Sequence, residues 1–397
     1  MEIKRRTIIF ILLLVAFVLF FWSRTISAEN ITPPVTKKVM VINFNPVIES
    51  QNNKKLTEFY NWNNPQTLSN QYIIDVKQVS GNYVNYEIAE WHDVDDFPVK
   101  QNGFDFTDDS FLQCMQNQNC DSGMANYQKI LTDFQVCEKR NSRVVDELWL
   151  WGGPWFGYWE AVMAGPNAFN TNGPPIVNTA CQKQLHIMGF NHERGVSEML
   201  EDLGHRAEGT LSYVFGEDSR WNGNNNKTPW GKFTLSEKTA PGNSNCGWMH
   251  YASNSQSDYD WSNQTVVSSS CENWLNYPNL TGAKQNFNCS RWNCNGYDYK
   301  KWWLNHLPRA TGQTDGKWNN WWRYILDYEE SMPGDVNKDG CVNALDIGMI
   351  IENYTFEETP GPIKDPRADI NGDKRVNAAD ISVVIEQYNP LAPGCGQ

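Results

Sequence analysis

A chain of 397 residues has room for two or three domains. It carries 33 Lys and Arg against 46 Asp and Glu, a formal charge of −13, and it has no basic run, which argues against binding to nucleic acid. Its 18 Trp, 16 Tyr and 18 Phe argue against a disordered chain. They suit a large aromatic core, or surfaces that stack on sugar rings.

The N-terminus has the layout of a signal peptide. Lys4, Arg5 and Arg6 are followed by an unbroken apolar run over residues 8–22, and Ser27-Ala28 supply small residues for cleavage. The run is short for a membrane span, which needs about 20 apolar residues. Residues 1–28 therefore read as a leader, with an N-terminal anchor as the alternative, and the remainder as secreted or cell-surface protein. In that compartment ten cysteines, an even number without a CxxC pair, point to disulfides rather than metal thiolates.

A polar, proline-bearing spacer covers residues 29–36. The main domain is expected over 37–330, beginning with a buried strand at 39–44. A helix is expected over 124–134. Residues 144–151 form a second strand, stopped by Gly152-Gly153-Pro154, and a long helix is expected over 195–215. Strands alternating with helices indicate an α/β (or α+β) fold. Residues 216–314 are rich in Asn, Gly, Ser and Trp and read as long disulfide-pinned loops, with a final aromatic helix over 318–328.

Candidate catalytic residues crowd behind the second strand. Open α/β sheets place their sites at strand C-termini. Glu160, within one helical turn of the glycine-rich strand end, is an acid/base candidate against the plainer reading of a solvated or capping Glu. Glu193 precedes the long helix, on which Glu198, Glu201, His205 and Glu208 share one face. That stripe can bind a metal or hold a proton-transfer network; the plainer reading is a charged face with i,i+4 pairing. Ser197 or Asn191 would cap this helix. His250, in Cys246-Gly-Trp-Met-His-Tyr, could join His192 and His205 as a third imidazole, and it is followed by Asp258 and Asp260.

The C-terminal region contains an internal repeat. Residues 335–354 (DVNKDGCVNALDIGMIIENY) and 369–388 (DINGDKRVNAADISVVIEQY) align without a gap at an offset of 34. Calcium takes six to eight oxygens, and a 12-residue loop offers them from positions 1, 3, 5, 7, 9 and 12. In the first loop these are Asp335, Asn337, Asp339, the Cys341 carbonyl, Asn343 and Asp346. In the second they are Asp369, Asn371, Asp373, the Arg375 carbonyl, Asn377 and Asp380. Lys374 stands where the sixth position of such a loop usually has Gly, so the second site is expected to be weaker.

The segment 333–390 resembles the type I dockerin family, with Asp instead of Glu at position 12. The resemblance implies a small all-α module of two EF-hand-type loop–helix repeats, folded around two calcium ions and docking onto a cohesin-type module. Its implied recognition residues, at positions 10 and 11, are Ala344-Leu345 and Ala378-Ala379. Cys341 and Cys395, the only cysteines after 294, are expected to pair, with a free or intermolecular thiol as the alternative. Residues 391–397 form a tail.

Three functions are compatible with this sequence. The family commonly carries polysaccharide-degrading enzymes, which makes hydrolysis of glycosyl bonds by paired carboxylates the leading expectation. The others are a metal-dependent hydrolase or peptidase using Glu198, His205, Glu208 and a distant His, and a non-catalytic surface or glycan-binding protein.

Overall fold

The computed structural model describes residues 34–216, 227–315, 317–328, 332, 334–337, 341–355, 363–370 and 375–388. The leader and the tail at 391–397 lie outside these residues, as do Asp339, Asn371, Asp373, Lys374 and Cys395. Among the described residues no helix is long and apolar enough to cross a membrane.

The chain starts with strand β1 (Val35–Phe44), followed by helix α1 (Pro65–Val79) and strand β2 (Val84–Val94). Pro65 opens α1 at N1, and the Asn64 side chain accepts from Thr67 N at 2.9 Å. Helices α2 (Asp108–Asn117), α3 (Tyr127–Asp133) and α4 (Val136–Asn141) lead to strand β3 (Glu147–Gly152). Strands β4 (Ala161–Ala164) and β5 (Leu185–Asn191) precede the long helix α5 (Val196–Phe215). Helix α6 (Gly296–His306) lies within the segment read from sequence as loops.

These strands form one five-stranded sheet in the order β2-β1-β3-β5-β4. The first four are parallel and β4 runs antiparallel to β5. β1 is an interior strand covered on both faces. Val39 and Val41 pack with residues of α1, α5 and α6, while Met40 and Ile42 pack with residues of α2, α3 and α4. Burial on both sides explains the continuous apolar run of β1, where a half-exposed strand would alternate. The chain leaves β1 toward β2 on one side and β3 toward β5 on the other, so the strand order reverses between β1 and β3. Ligand sites of open α/β sheets form outside the strand C-termini at such a reversal.

Two expectations need correction. The turn after β3 opens no helix; it runs through a loop into β4, and Glu160 sits in that loop immediately before the strand. Residues 318–328 are not one helix, because Lys317–Asn320 pairs as a strand with Arg309–Thr314 and only Trp322–Leu326 is helical.

The eight cysteines of the middle region pair as Cys114–Cys120, Cys137–Cys181, Cys246–Cys271 and Cys289–Cys294. The longest bridge spans 44 residues, from α4 to the loop before β5. On the chain-entropy account a loop of that size stabilises by up to about 4 kcal/mol. Cys137→Ser/Cys181→Ser should lower the denaturant midpoint accordingly, and an unchanged midpoint would show that the bridge contributes nothing.

Candidate functional site

At the C-terminal ends of β3 and β5 lies a cleft of about 210 Å³, whose lining includes Trp155, Tyr158, Glu160, Asn191, Arg194 and Asp202. The turn forming one wall is tightly held. Gly157 has φ 84°, and a Cβ there would lie 2.4 Å from the Gly123 carbonyl, so only glycine fits. Trp155 stands in the same turn at φ 67° and is 38% exposed. A left-handed backbone is costly for such a residue and persists only where its surroundings hold it. Buried Lys100 supplies the hold, donating from Nζ to the Trp155 and Gly123 carbonyls.

Helix α5 forms the floor. Its N-terminus is closed by the Glu198 side chain, which accepts from Gly195 N at 3.0 Å, and it ends at Gly216 with φ 68°. The helix is buried nearly all round, so its charged residues need partners. Arg206 points to the sheet, with Nη1 2.8 Å from Glu147 Oε1 of β3 and Nε donating to the Ile325 carbonyl at 2.8 Å.

Glu201, His205 and Glu208 point the other way, toward His250. His205 Nε2 lies 3.1 Å from His250 Nε2, which is 2.8 Å from Glu201 Oε1. Glu160 Oε2 approaches His205 Nε2 to 3.8 Å and accepts from Asn172 Nδ2 at 2.9 Å. Four segments far apart in sequence thus contribute to one cluster: the loop before β4, α5, the 250–258 loop and α6. His205 Nδ1 is 2.8 Å from Glu208 Oε2, and Glu208 Oε1 accepts from Met249 N at 2.7 Å. His250 Nδ1 is 3.3 Å from Asp258 Oδ1, and Lys300 Nζ of α6 lies 2.5 Å from Glu201 Oε2. Glu201, His205 and His250 each offer one ligand atom, all within 4.8 Å of one another, so a metal ion could be held here.

The electrostatics follow from this crowding. Desolvation disfavours the charged form of His205, but its hydrogen bond to Glu208 and the nearby carboxylates prevail and push it up to about 9. Burial would raise Glu201, yet His250 and Lys300 bring it down to about 2. Asp202 feels Arg194 and Lys300 too, but they do not prevail. Burial first, then the charges of Glu160 and Glu201, push its carboxyl well above the usual carboxylate range, which favours the neutral acid.

Of the catalytic candidates, Glu160, His205 and Glu208 come together here. Glu198 lines the cleft but serves as the cap of α5, with Lys300 Nζ 3.8 Å from its Oε1. Glu193 is exposed and is not among the cleft-lining residues. Neither Ser197 nor Asn191 caps the helix, and Ser197 Oγ instead accepts from Lys300 Nζ at 3.0 Å. His192 does not join the cluster. It is buried, stacked on Trp151 at 5.8 Å, bonded to Asn43 at 2.8 Å and lowered by burial to about 3. Sequence reasoning missed Asp202 and Lys300, which lie off the polar stripe and in a segment read as loop.

The C-terminal repeat places helices α7 (Ala344–Glu352) and α8 (Ala378–Gln387) after its two loops. Asn343 and Asn377 cap these helices, accepting from Leu345 N at 2.7 Å and Ala379 N at 2.8 Å. The position-12 carboxylates are wholly buried and tie each loop to its helix. Asp346 accepts from Val336 N at 2.7 Å and Asn343 N at 2.9 Å, and Asp380 from Ile370 N at 2.8 Å and Asn377 N at 2.9 Å. Asp335 is also fully buried in the first loop, and two buried carboxyl groups in one loop suit a cation. Ala344, Leu345, Ala378 and Ala379 are all exposed at the helix starts. The core between the repeats is small, built on residues such as Val342, Ile350, Val376 and Val384.

Residues 333–389 match the family model of the dockerin type I domain. Such domains bind calcium and dock onto cohesin modules. No curated protein matches the chain.

Proposed function

We propose that the protein is an exported, cohesin-docked hydrolase whose main domain, over residues 37–330, cleaves glycosyl bonds of a polysaccharide in the cleft beside Glu160. The observation that carries this reading is that the carboxyl groups of Asp202 and Glu160 line one cleft, with Asp202 buried and shifted toward the neutral acid and Glu160 41% exposed. Hydrolysis of a glycosidic bond needs one carboxylic acid to protonate the leaving oxygen and one carboxylate to act as base or nucleophile. Asp202 takes the first role and Glu160 the second, with His205 Nε2 3.8 Å from the Glu160 carboxylate. Glu208 positions His205.

Trp155 supports a sugar ligand. Its ring sits in the cleft lining on a strained backbone that costs stability, and a flat exposed aromatic at a polar cleft suits stacking on a pyranose face. The test is the release of soluble products from a panel of insoluble polysaccharides and proteins by the full chain. Release from a polysaccharide is expected. Trp155→Ala should raise KM about 3- to 10-fold, the worth of a stacking contact, with little change in kcat. Cleavage of protein substrates alone would overturn the glycosyl assignment.

Delivery to the substrate is assigned to the dockerin module, with Asp335, Asn337, Asp339, Cys341, Asn343 and Asp346 as the first calcium loop and Asp369, Asn371, Asp373, Arg375, Asn377 and Asp380 as the second. Ala344, Leu345, Ala378 and Ala379 would press on the cohesin. Without calcium the clustered carboxylates repel, and a core of this size cannot offset that. Chelation should abolish cohesin binding and reduce helix content in the module, reversibly on adding calcium. Asp346→Ala removes both a ligand and the loop-to-helix bonds and should do the same in saturating calcium; retained binding would exclude the assigned ligand set.

A further inference from the structure

We infer that Glu201, His205 and His250 form a binding site for one divalent transition-metal ion of the zinc class, next to Glu160 of the cleft and separate from the calcium sites of the dockerin module. The inference deepens the hydrolase reading, because it concerns the same cleft, but it rests on side-chain geometry that stands whatever the substrate.

The first observation is the orientation of the imidazoles. Both turn Nδ1 to a carboxylate, His205 to Glu208 at 2.8 Å and His250 to Asp258 at 3.3 Å. A carboxylate on Nδ1 fixes the proton there and leaves Nε2 as the metal-binding atom, which is the usual arrangement around metal-bound histidine. The two Nε2 atoms then face each other at 3.1 Å, and Glu201 Oε1 lies 2.8 Å from the second. Three electron-rich atoms thus lie within 4.8 Å of one another. A single proton placed between the imidazoles serves the nitrogen pair but not the contact to Glu201. One cation serves all three. Tetrahedral zinc with bonds of about 2.0–2.1 Å sets its ligand atoms roughly 3.3 Å apart, close to the 3.1 Å between the imidazoles and within the 4.8 Å that bounds all three atoms.

The second observation is the support behind each ligand. Glu208 is fixed by Met249 N at 2.7 Å. Lys300, only 1% exposed in its side chain, takes Glu201 Oε2 at 2.5 Å and so turns Oε1 inward. The cluster brings the carboxyl groups of Glu160, Glu201, Glu208 and Asp258 close to the two imidazoles, with Lys300 bonded to Glu201 on the far side. The third observation is the open side. Glu160 Oε2, 3.8 Å from His205 Nε2, lies toward solvent. Three protein ligands with the fourth position left open is the pattern of catalytic sites, whereas structural zinc sites are closed by four. Two imidazoles and one carboxylate select zinc-class ions, while calcium takes oxygen ligands.

The probe is cobalt(II), titrated into the full chain in excess calcium so that the dockerin loops stay filled. One equivalent of tightly held cobalt is expected, with intense visible d–d absorption. The band should be absent in His205→Ala and His250→Ala and unchanged in Asp335→Asn. If either histidine variant fails to fold, Asp258→Asn carries the test, because its side chain is 49% exposed. It should fold normally and bind cobalt about 10- to 100-fold more weakly, as loss of a carboxylate behind a histidine ligand does. No retained cobalt, or cobalt retained equally by His250→Ala, overturns the site. Turnover that persists in chain shown to hold no metal would remove the metal and leave the hydrolase reading standing. Stoichiometric cobalt without cleavage of any polymer would do the reverse.

Discussion

Arg206→Leu is expected to lower the unfolding free energy by about 3–5 kcal/mol, the usual cost of removing one partner from a buried ion pair. Arg206 is fully buried between α5 and the sheet, and its guanidinium meets three groups. Nη1 pairs with Glu147 at 2.8 Å, Nε donates to the Ile325 carbonyl at 2.8 Å, and Nη2 to the Leu326 carbonyl at 3.2 Å. Leucine leaves the Glu147 carboxylate in the core with only the Trp149 indole at 2.9 Å and the Tyr86 hydroxyl at 3.3 Å to solvate it. It also strands two backbone acceptors of the segment that closes the main domain. The double variant Glu147→Leu/Arg206→Leu should recover part of the loss, since replacing both partners removes the unpaired charge. Denaturant unfolding of the three variants decides the matter. A loss below about 1 kcal/mol for Arg206→Leu would mean that water reaches the pair and that α5 is not locked to the sheet in this way.

Much of this frame was legible in the sequence, for reasons that differ between elements. The run at 39–44 announces a strand because β1 is covered on both faces and needs no polar alternation. Helix α5 is legible by its length, its glycine stop and the stripe of Glu201, His205 and Glu208. The repeat at 335–354 and 369–388 is the plainest signal, because calcium chemistry fixes residue type at set intervals. Other features were hidden for physical reasons. Asp202 lies beside Glu201 but off the stripe, and it reaches the cleft only because α5 is buried nearly all round. His250 meets His205 through a loop set by the Cys246–Cys271 bridge, and no periodicity carries that information. Lys300 belongs to α6, whose aromatic-rich sequence GYDYKKWWLNH lacks a clear apolar stripe. His192 seemed equivalent to His205 in sequence, yet stacking on Trp151 withdraws it into the core.

The central claim is that the cleft beside Glu160 is where the chain acts, and one substitution addresses it most directly. Glu160 is 41% accessible in its side chain and accepts a hydrogen bond from Asn172 Nδ2 at 2.9 Å. Glutamine preserves its size and can still accept from Asn172, so folding should be nearly indifferent to the change. The carboxylate lost is the group beside His205 in the cleft that Asp202 also lines. A positioned general base or acid contributes about 10²–10⁴-fold. The decisive measurement is therefore kcat for Glu160→Gln against the unmodified chain on the polymer that the panel identifies, with the thermal midpoint of each recorded. The account predicts a loss of at least about 100-fold with an unchanged midpoint. Undiminished turnover at an unchanged midpoint would contradict it and move the chemistry elsewhere in the domain.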